Sequence, residues 1–458
     1  MTTTAAEPSD PLLRRSPAVA VLSQGLPLAI GLASHALINL VDLAMVGRLG
    51  EDAVQSAHVG STWNFLPMIV GQCISTALLS WLARRLGDGD TKGARALNRQ
   101  AHWFMLWLGL AVSVLTALPA AVMVDGTGLT GVVRDDAVHY LVVSNLGCLP
   151  MFLLMQTTAA MRAAGEALMP LSLLLLANAI NLLLAAVLLF GWPLVGVAPV
   201  GVVGAAYAAV AGRAVAAVLA FVWLRRRGHV LPLRAEAAAG QAPAVAWPLV
   251  RDAWPQMVQI GLRASIVLVL TESVVRRFGA SATAALGITT RLDTLVLFAS
   301  LGFANAATAY AGRAVMVGRV ACARAAGLWA AVAAGALGAG CVLGMMQMAP
   351  QLVRWFVPDH SGEVVQVAAL YLASAAWAQV AGAVALGAIG AVQGAGRMLS
   401  PLVVDLVGFT IAFVLLRLAT GDGRGLGELF GALLAGMAVV AVLQVLFVLF
   451  GNWPTRRC

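Results

Sequence analysis

The chain has 458 residues, 61% of them hydrophobic and 11% charged, and its mean hydropathy is +0.90. A soluble domain runs at about 45–50% apolar and about 25% charged, so this composition excludes one and defines an integral membrane protein. The formal net charge of +9 lies in short basic clusters between apolar runs rather than on one basic face, which excludes nucleic acid as the partner and makes the clusters topology signals.

Each crossing takes about 20 apolar residues. Unbroken apolar runs, in place of ~10-residue strands of alternating polarity, make the crossings helical and exclude a β-barrel. The predicted spans are residues 18–46, 54–83, 101–124, 137–160, 170–191, 201–224, 249–275, 281–310, 325–348, 364–391, 401–419 and 429–451. Met1 to Pro17 is polar and has no small-residue cleavage site, so the first run reads as a true span.

That first span carries a carboxylate, Asp42, which costs about 3 kcal/mol even on the gentlest insertion scale. His35, Asn39 and Asp42 are spaced i, i+4, i+7 and share one helix face. With twelve spans the two termini fall on one side, together with Arg14/Arg15, Arg84 to Arg99, Arg162, Arg225 to Arg251, Arg313 to Arg324, Arg397 and Arg456/Arg457. The positive-inside rule makes that side cytoplasmic, and the expectation is a multi-pass protein of a bacterial inner membrane with both termini in the cytoplasm.

The halves of the chain repeat one another. Gly50 precedes Arg84 by the same interval as Gly279 precedes Arg313, an offset of 229 residues, and Arg162-Ala-Ala-Gly165 to Pro170 matches Gln393-Gly-Ala-Gly396 to Pro401 at an offset of 231. Two six-span halves in one orientation predict lobes related by a pseudo-two-fold axis along the membrane normal. The predicted division is an N-lobe over 1–228, a cytoplasmic linker over 229–247 that acts as a flexible bridge, and a C-lobe over 248–458. Cys73, Cys148, Cys322, Cys341 and Cys458 form no CxxC pair, so neither a metal site nor a disulfide framework is expected.

In this order, Val41-Asp42-Leu-Ala-Met-Val-Gly47-Arg-Leu-Gly50, Ser61-Thr-Trp63-Asn64, Leu86-Gly87-Asp-Gly-Asp90, Gly165 to Pro170, Asn178-Ala-Ile-Asn181, Gly201-Val-Val-Gly204, Gly279 to Thr290 and Gly394 to Pro401 resemble the multidrug and toxic compound extrusion (MATE) family over nearly the whole chain. Each motif is short; their order across twelve spans with a halfway repeat carries the resemblance. It implies two six-helix lobes around a central cleft, alternating access, and export of organic, often cationic, compounds in exchange for H⁺ or Na⁺. A bilayer and small-molecule substrates are the implied partners, the protein is expected to work as a monomer, and it is not an enzyme: no GxSxG or HExxH motif appears.

The resemblance makes Asp42 the candidate coupling-ion site, with Asn39, His35, Asn181 and Glu272 beside it. A structural role for Asp42, bonded to Asn39 or a neighbouring helix, stays open. Burial makes the charged carboxylate costly, so Asp42 is the group expected to load and unload a proton. Relatives with an N-lobe cation site carry an Asn and an Asp four residues apart in the fifth span; here Asn181 matches and Ala185 does not. That departure favours H⁺ over Na⁺ as the coupling ion, with no other cofactor and no metal. His35 reads either as a proton relay or as a packing residue, and Asn178 either as a cleft residue or as interhelical glue.

Glu272 falls one position from the repeat equivalent of Asp42 and also lies at i−4 from Arg276, so a coupling role and a surface ion pair are both open. Arg213, Arg263 and Arg291 add buried positive charge. Arg263 is expected opposite Asp293 or Glu272, and Asp405, one turn after Pro401, at a helix N-terminus. Candidates for the substrate cleft are Trp63, Asn64, Gln156, Asn178, Gln259, Asp293 and Gln379, with Met45, Met68, Met155 and Met161 as adaptable surface. Trp107, Trp192, Trp453 and Tyr140 are expected in interfacial belts. A lipid-linked saccharide flippase of related architecture is the second reading.

Overall fold

The computed structural model describes residues 10–192, 196, 198–226, 229–233, 245–348, 351, 362–420 and 425–454. The elements formed by the described residues are α-helices, and twelve stretches are long and apolar enough to cross a bilayer. They are α1 (Pro17–Gly47), α2 (Glu51–Gly87), α3 (Thr91–Ala117), α4 (Gly131–Ala164), α5 (Leu168–Phe190), α6 (Val203–Leu224), α7 (Ala246–Gly279), α8 (Ser281–Met316), α9 (Val320–Gln347), α10 (Val364–Gly394), α11 (Leu399–Ala419) and α12 (Leu426–Phe450). All twelve predicted spans are recovered, and the ends differ where polar residues extend a helix beyond its apolar run. α3 begins ten residues before its apolar run because Asp90 caps it, its side chain accepting from Gly93 N at 2.8 Å.

The repeat is written into the backbone. Gly50 and Gly279, Gly89 and Gly318, and Gly165 and Gly396 all take positive φ, between 75° and 109°, a region glycine enters without the Cβ penalty. After α4, α8 and α10 the chain closes the same turn, in which Glu166 N, Arg319 N and Arg397 N reach back to Met161 O, Ala314 O and Val392 O. Each is the six-to-one bond of a Schellman cap, so helix ends and not merely residue types recur.

The compact units do not follow the expected lobes of 1–228 and 248–458. One unit comprises Met1–Ala33, Leu79–Gly89 and Asp252–Cys458, and the other Ser34–Leu78 and Asp90–Arg251. The cause lies in close contacts that join pieces of α1 and α2 to the second half. A Cβ on Gly302 of α8 would lie 2.3 Å from Ala29 N of α1, and one on Gly87 of α2 would lie 2.6 Å from Arg313 Cα. Ser80 of α2 donates to Gln393 O at 2.6 Å, and Trp81 Nε1 donates to Asp252 at 2.9 Å.

The segment before α1 is fixed in the same unit. Leu12 and Leu13 are buried, and Arg313 Nη1 donates to both oxygens of Asp10, at 2.7 and 2.8 Å. Asp10→Asn is expected to destabilise the protein by about 1–3 kcal/mol, since it leaves a buried guanidinium with a weaker partner. Thermal unfolding in detergent reads this as a lowered midpoint; an unchanged midpoint would mean that the pair contributes nothing.

The expected linker over 229–247 is not a free bridge at its start. Asn98 Nδ2 of α3 donates to Leu231 O at 2.9 Å, Arg95 Nε donates to Val230 O at 3.2 Å, and Leu231 is fully buried. His229 Nε2 lies 3.1 Å from Glu166. Burial pushes the Glu166 carboxyl up, but the contact with His229 and a bond from Trp223 outweigh it and hold the group below its ordinary range. Residues 234–244 of this linker lie outside the described residues, as do 1–9 and 455–458, on which the placement of the termini turns.

Candidate functional site

In the unit formed by Ser34–Leu78 and Asp90–Arg251, α1 and α5 share a seam of polar side chains. Asn178 and Asn181 stand three apart on α5, on one face, as His35 and Asp42 do on α1. Asn181 Nδ2 donates to Asp42 Oδ2 at 2.7 Å, and Asn178 Nδ2 donates to Ser34 Oγ at 2.8 Å. His35 is bonded to Asn178. Asp42 Oδ1 and Asn181 Oδ1 are buried and have no hydrogen-bond partner among the described residues. The seam therefore keeps two acceptor oxygens in reserve.

Ala185 follows on α5 and is fully buried in an apolar cluster with Val46, Leu189, Val202 and Ala208. The place where the resemblance implies a second carboxylate is thus filled by hydrocarbon. Arg213 of α6 lies within electrostatic reach of Asp42, Tyr140 and Cys148 and of His35. It is carried close to α5 by Gly212, where a Cβ would lie 2.4 Å from Ala177 O. Cys148 Sγ in turn contacts Asn64 Oδ1 at 3.9 Å.

The expected neighbour Asn39 does not join the seam. It stands only about 60° around the helix from Asp42, but it is exposed. Trp63 packs into an apolar cluster with Ala120, Val124, Ala137 and Leu141, so its ring belongs to the core of this unit rather than to a cleft. Gln156 is completely buried: its Nε2 donates to Asn98 at 2.7 Å and its Oε1 meets His102 Nδ1 at 2.8 Å. It ties α3 to α4 and presents no polar atom to a ligand.

The other unit holds a second polar cluster. Asp293 of α8 is 6% exposed, and its Oδ2 accepts from the Tyr371 hydroxyl and from Gln379 Nε2 at 3.2 Å. Gln259 is buried on α7, its Nε2 without a partner among the described residues. Glu272 is exposed and pairs with Arg276 at 2.8 Å. It stands seven residues before Gly279, where Asp42 stands eight before Gly50. One residue turns a helix by about 100°, so the near-equivalence leaves Glu272 on a different face.

Arg263 is opposite neither Asp293 nor Glu272. It faces Asp405 and lies 5.7 Å over the Phe409 ring. Asp405 is fully buried and accepts from Gln444 Nε2 at 2.8 Å, which makes it a charge partner within the helix bundle rather than a residue serving a helix end. Trp453 is also buried, not interfacial, its Nε1 donating to Val448 O at 3.1 Å. Of Arg291 only the helical backbone is described.

Sequence reading missed Tyr371 and assigned Tyr140 to an interfacial belt. The repeat offset would have found both: Tyr140 and Tyr371 are 231 residues apart, as are Cys148 and Gln379, and Asn64 and Asp293 are 229 apart. The two polar clusters are therefore repeat-related in Asn64, Tyr140 and Cys148 against Asp293, Tyr371 and Gln379. The carboxylates themselves come from unrelated positions, α1 in one unit and α8 in the other.

Twelve spans, a halfway repeat and ionisable groups held inside the bundle define a polytopic membrane transporter. The MatE family model matches residues 27–187 and 262–417, once in each half, and the chain belongs to that family. It is 30% identical over 430 residues to a probable multidrug resistance protein NorM of Deinococcus radiodurans, covering 88% of this chain and 90% of the relative. It is 27% identical to the NorM of Brucella suis, over 93% and 92%. Among solved structures, an outward-facing multidrug resistance MATE family transporter of the MOP superfamily superposes with a TM-score of 0.84 at 20% identity, over 96% of each chain. A MOP superfamily transporter from Pyrococcus furiosus gives 0.83 at 22%, over 95% and 96%. These likenesses confirm the all-helical, twelve-span transporter fold.

Proposed function

We propose that the protein is a secondary antiporter that exports organic, cationic or amphipathic compounds in exchange for protons by alternating access, from a bacterial inner membrane with its Arg-rich loops in the cytoplasm. The observation that carries this reading is the Asp42–Asn181 bond with a reserve oxygen on each partner. A carboxylate set inside a membrane bundle is expensive and marks an ion path. A proton needs one of those oxygens.

A sodium ion needs several hard oxygens. Ala185 supplies none and is sealed in hydrocarbon, while Arg213 brings a positive charge to the same neighbourhood. Both features favour H⁺ over Na⁺. Coupling then requires only that proton and substrate have different affinities for the two conformational states.

The test is transport of a fluorescent cationic dye by purified protein in proteoliposomes with ΔpH and the sodium gradient imposed independently. Uptake driven by ΔpH alone is expected. Uptake that requires a sodium gradient at constant pH would reverse the choice of ion, and no dye movement under either gradient would sink the reading.

A further inference from the structure

The Arg-rich ends of α2 and α8 meet at corresponding places in the repeat. An offset of 229 pairs Ala83 with Gly312 and Arg84 with Arg313, and these mates touch one another. A Cβ on Gly312 would lie 3.0 Å from Ala83 Cβ and 3.6 Å from Arg84 N, and one on Gly87 would lie 2.6 Å from Arg313 Cα. Repeat mates in contact mark where the axis that relates them passes, so the two helix ends cross there and leave no room between them.

A short turn ahead of α1 is fastened to the same crossing. Asp10 organises it, its Oδ1 accepting from Leu12 N at 2.9 Å and its backbone O from Leu13 N at 3.1 Å. The turn buries Leu12 and Leu13 and is tied to the second half of the chain at three points. Arg313 Nη1 donates to both Asp10 oxygens at 2.7 and 2.8 Å, Arg319 Nη1 donates to Leu13 O at 3.3 Å, and the Tyr310 hydroxyl donates to Arg15 O at 3.4 Å. Arg313 therefore holds two first-half pieces at once, α2 against its backbone and the turn on its guanidinium. Residues 10–15 lie outside α1, which begins at Pro17, so they add nothing to the span itself.

We propose that the turn over residues 10–15 is a strap that keeps the ends of α2 and α8 closed on one another, and that opening of this Arg-rich face requires the Asp10–Arg313 pair to part. The proposal rests on the alternating-access reading above and deepens it by naming a residue pair that holds one of the two states. Opening here separates first-half from second-half helices. The strap and α2 belong to the first half and α8 to the second, so the bonds from Tyr310, Arg313 and Arg319 to the strap lie across the line of separation. A bond made in one state and lost in the other shifts the equilibrium by its own strength, and the charge-assisted pair of Asp10 and Arg313 is the strongest of the three.

The test reads the crossing by thiol labelling of the purified full-length protein. Ala83→Cys places a reporter in the crossing, and Ala330→Cys places an equally buried one where α9 packs on Gly387 of α10. Each is introduced singly after the five native cysteines have been replaced by alanine, and reaction with N-ethylmaleimide is followed by mass spectrometry, whose rate follows the fraction of molecules open at the reporter. Asp10→Asn is expected to speed labelling of the Ala83→Cys reporter by about tenfold, the worth of one charge-assisted hydrogen bond. Leu13→Ala is expected to act in the same direction, and the Ala330→Cys reporter to keep its slow rate in both variants. Equal acceleration at the two reporters would make the turn a general stabiliser, and an unchanged rate at the crossing in both variants would mean that it holds nothing closed; either result overturns the proposal. Labelling needs neither dye nor ion gradient, so the strap and the antiport reading can each fail alone.

Discussion

Asp42→Asn is expected to abolish ΔpH-driven export while leaving the protein folded. The substitution keeps the size of the side chain and an oxygen that can accept from Asn181 Nδ2, so the 2.7 Å bond between α1 and α5 has a replacement. What is lost is the ability to exchange a proton: the side chain is fixed in a neutral form, as if permanently loaded. Arg213 then has no ionised partner in its cluster, whichever way the transporter faces. A ligand shifts a conformational equilibrium only by its differential affinity for the states, and a proton that cannot bind at position 42 exerts none there. The measurement is dye uptake in proteoliposomes under an imposed ΔpH, with size-exclusion profile and melting temperature as controls for folding. Full ΔpH-driven transport by this variant would remove Asp42 from the coupling path and direct attention to Asp293.

Asp293 is the alternative because its surroundings differ in kind. Its described bonds come from neutral donors, Tyr371 and Gln379, whereas Asp42 shares its cluster with a permanent cation. Two repeat-related clusters have thus been charged differently, one with an acid and a base, the other with an acid and a phenol. An ancestral symmetry of position survives in the tyrosines, and the chemistry has diverged around them.

This also explains what could be read in the sequence. The twelve spans were legible because a helix that crosses lipid must be long and apolar, and the repeat because glycine at positive φ is hard to replace, so Gly50, Gly89 and Gly165 recur as Gly279, Gly318 and Gly396. Asp42 with Asn181 was legible through the motifs that carry the resemblance. Partners separated by whole helices were not. Nothing in spacing alone says that Arg213 of α6 reaches toward Asp42, or that Gln156 spends its amide on Asn98 and His102. Those pairings depend on how far each helix is rotated and how closely it approaches, and a shift of one residue was enough to misplace Glu272.

How closely helices approach is set by small residues, and the second large effect is expected there. α10 carries Gly387, Gly390 and Gly394 along its length. A Cβ on Gly390 would lie 2.3 Å from Ala304 O of α8, one on Gly394 would lie 2.5 Å from Thr308 O, and one on Gly387 would lie 2.5 Å from Ala330 O of α9. Thr308 Oγ1 also donates to Gly390 O at 2.9 Å, so backbone and hydroxyl are committed at the same crossing. In a bilayer, close packing of this kind is a main source of helix association, because lipid supplies no hydrophobic drive between helices. Gly390→Leu has no flexible neighbour to displace, only backbone, and is expected to cost about 3 kcal/mol or more through forced separation of α8 and α10. The control is Gly340→Ala on α9, where nothing lies within 4 Å of the added Cβ; there the gain in helix propensity is expected to leave stability unchanged or raise it by up to about 1 kcal/mol. Unfolding of both variants in detergent, followed by fluorescence-detected size exclusion after heating, separates them. Equal melting temperatures would mean that these helices do not rely on glycine for their approach.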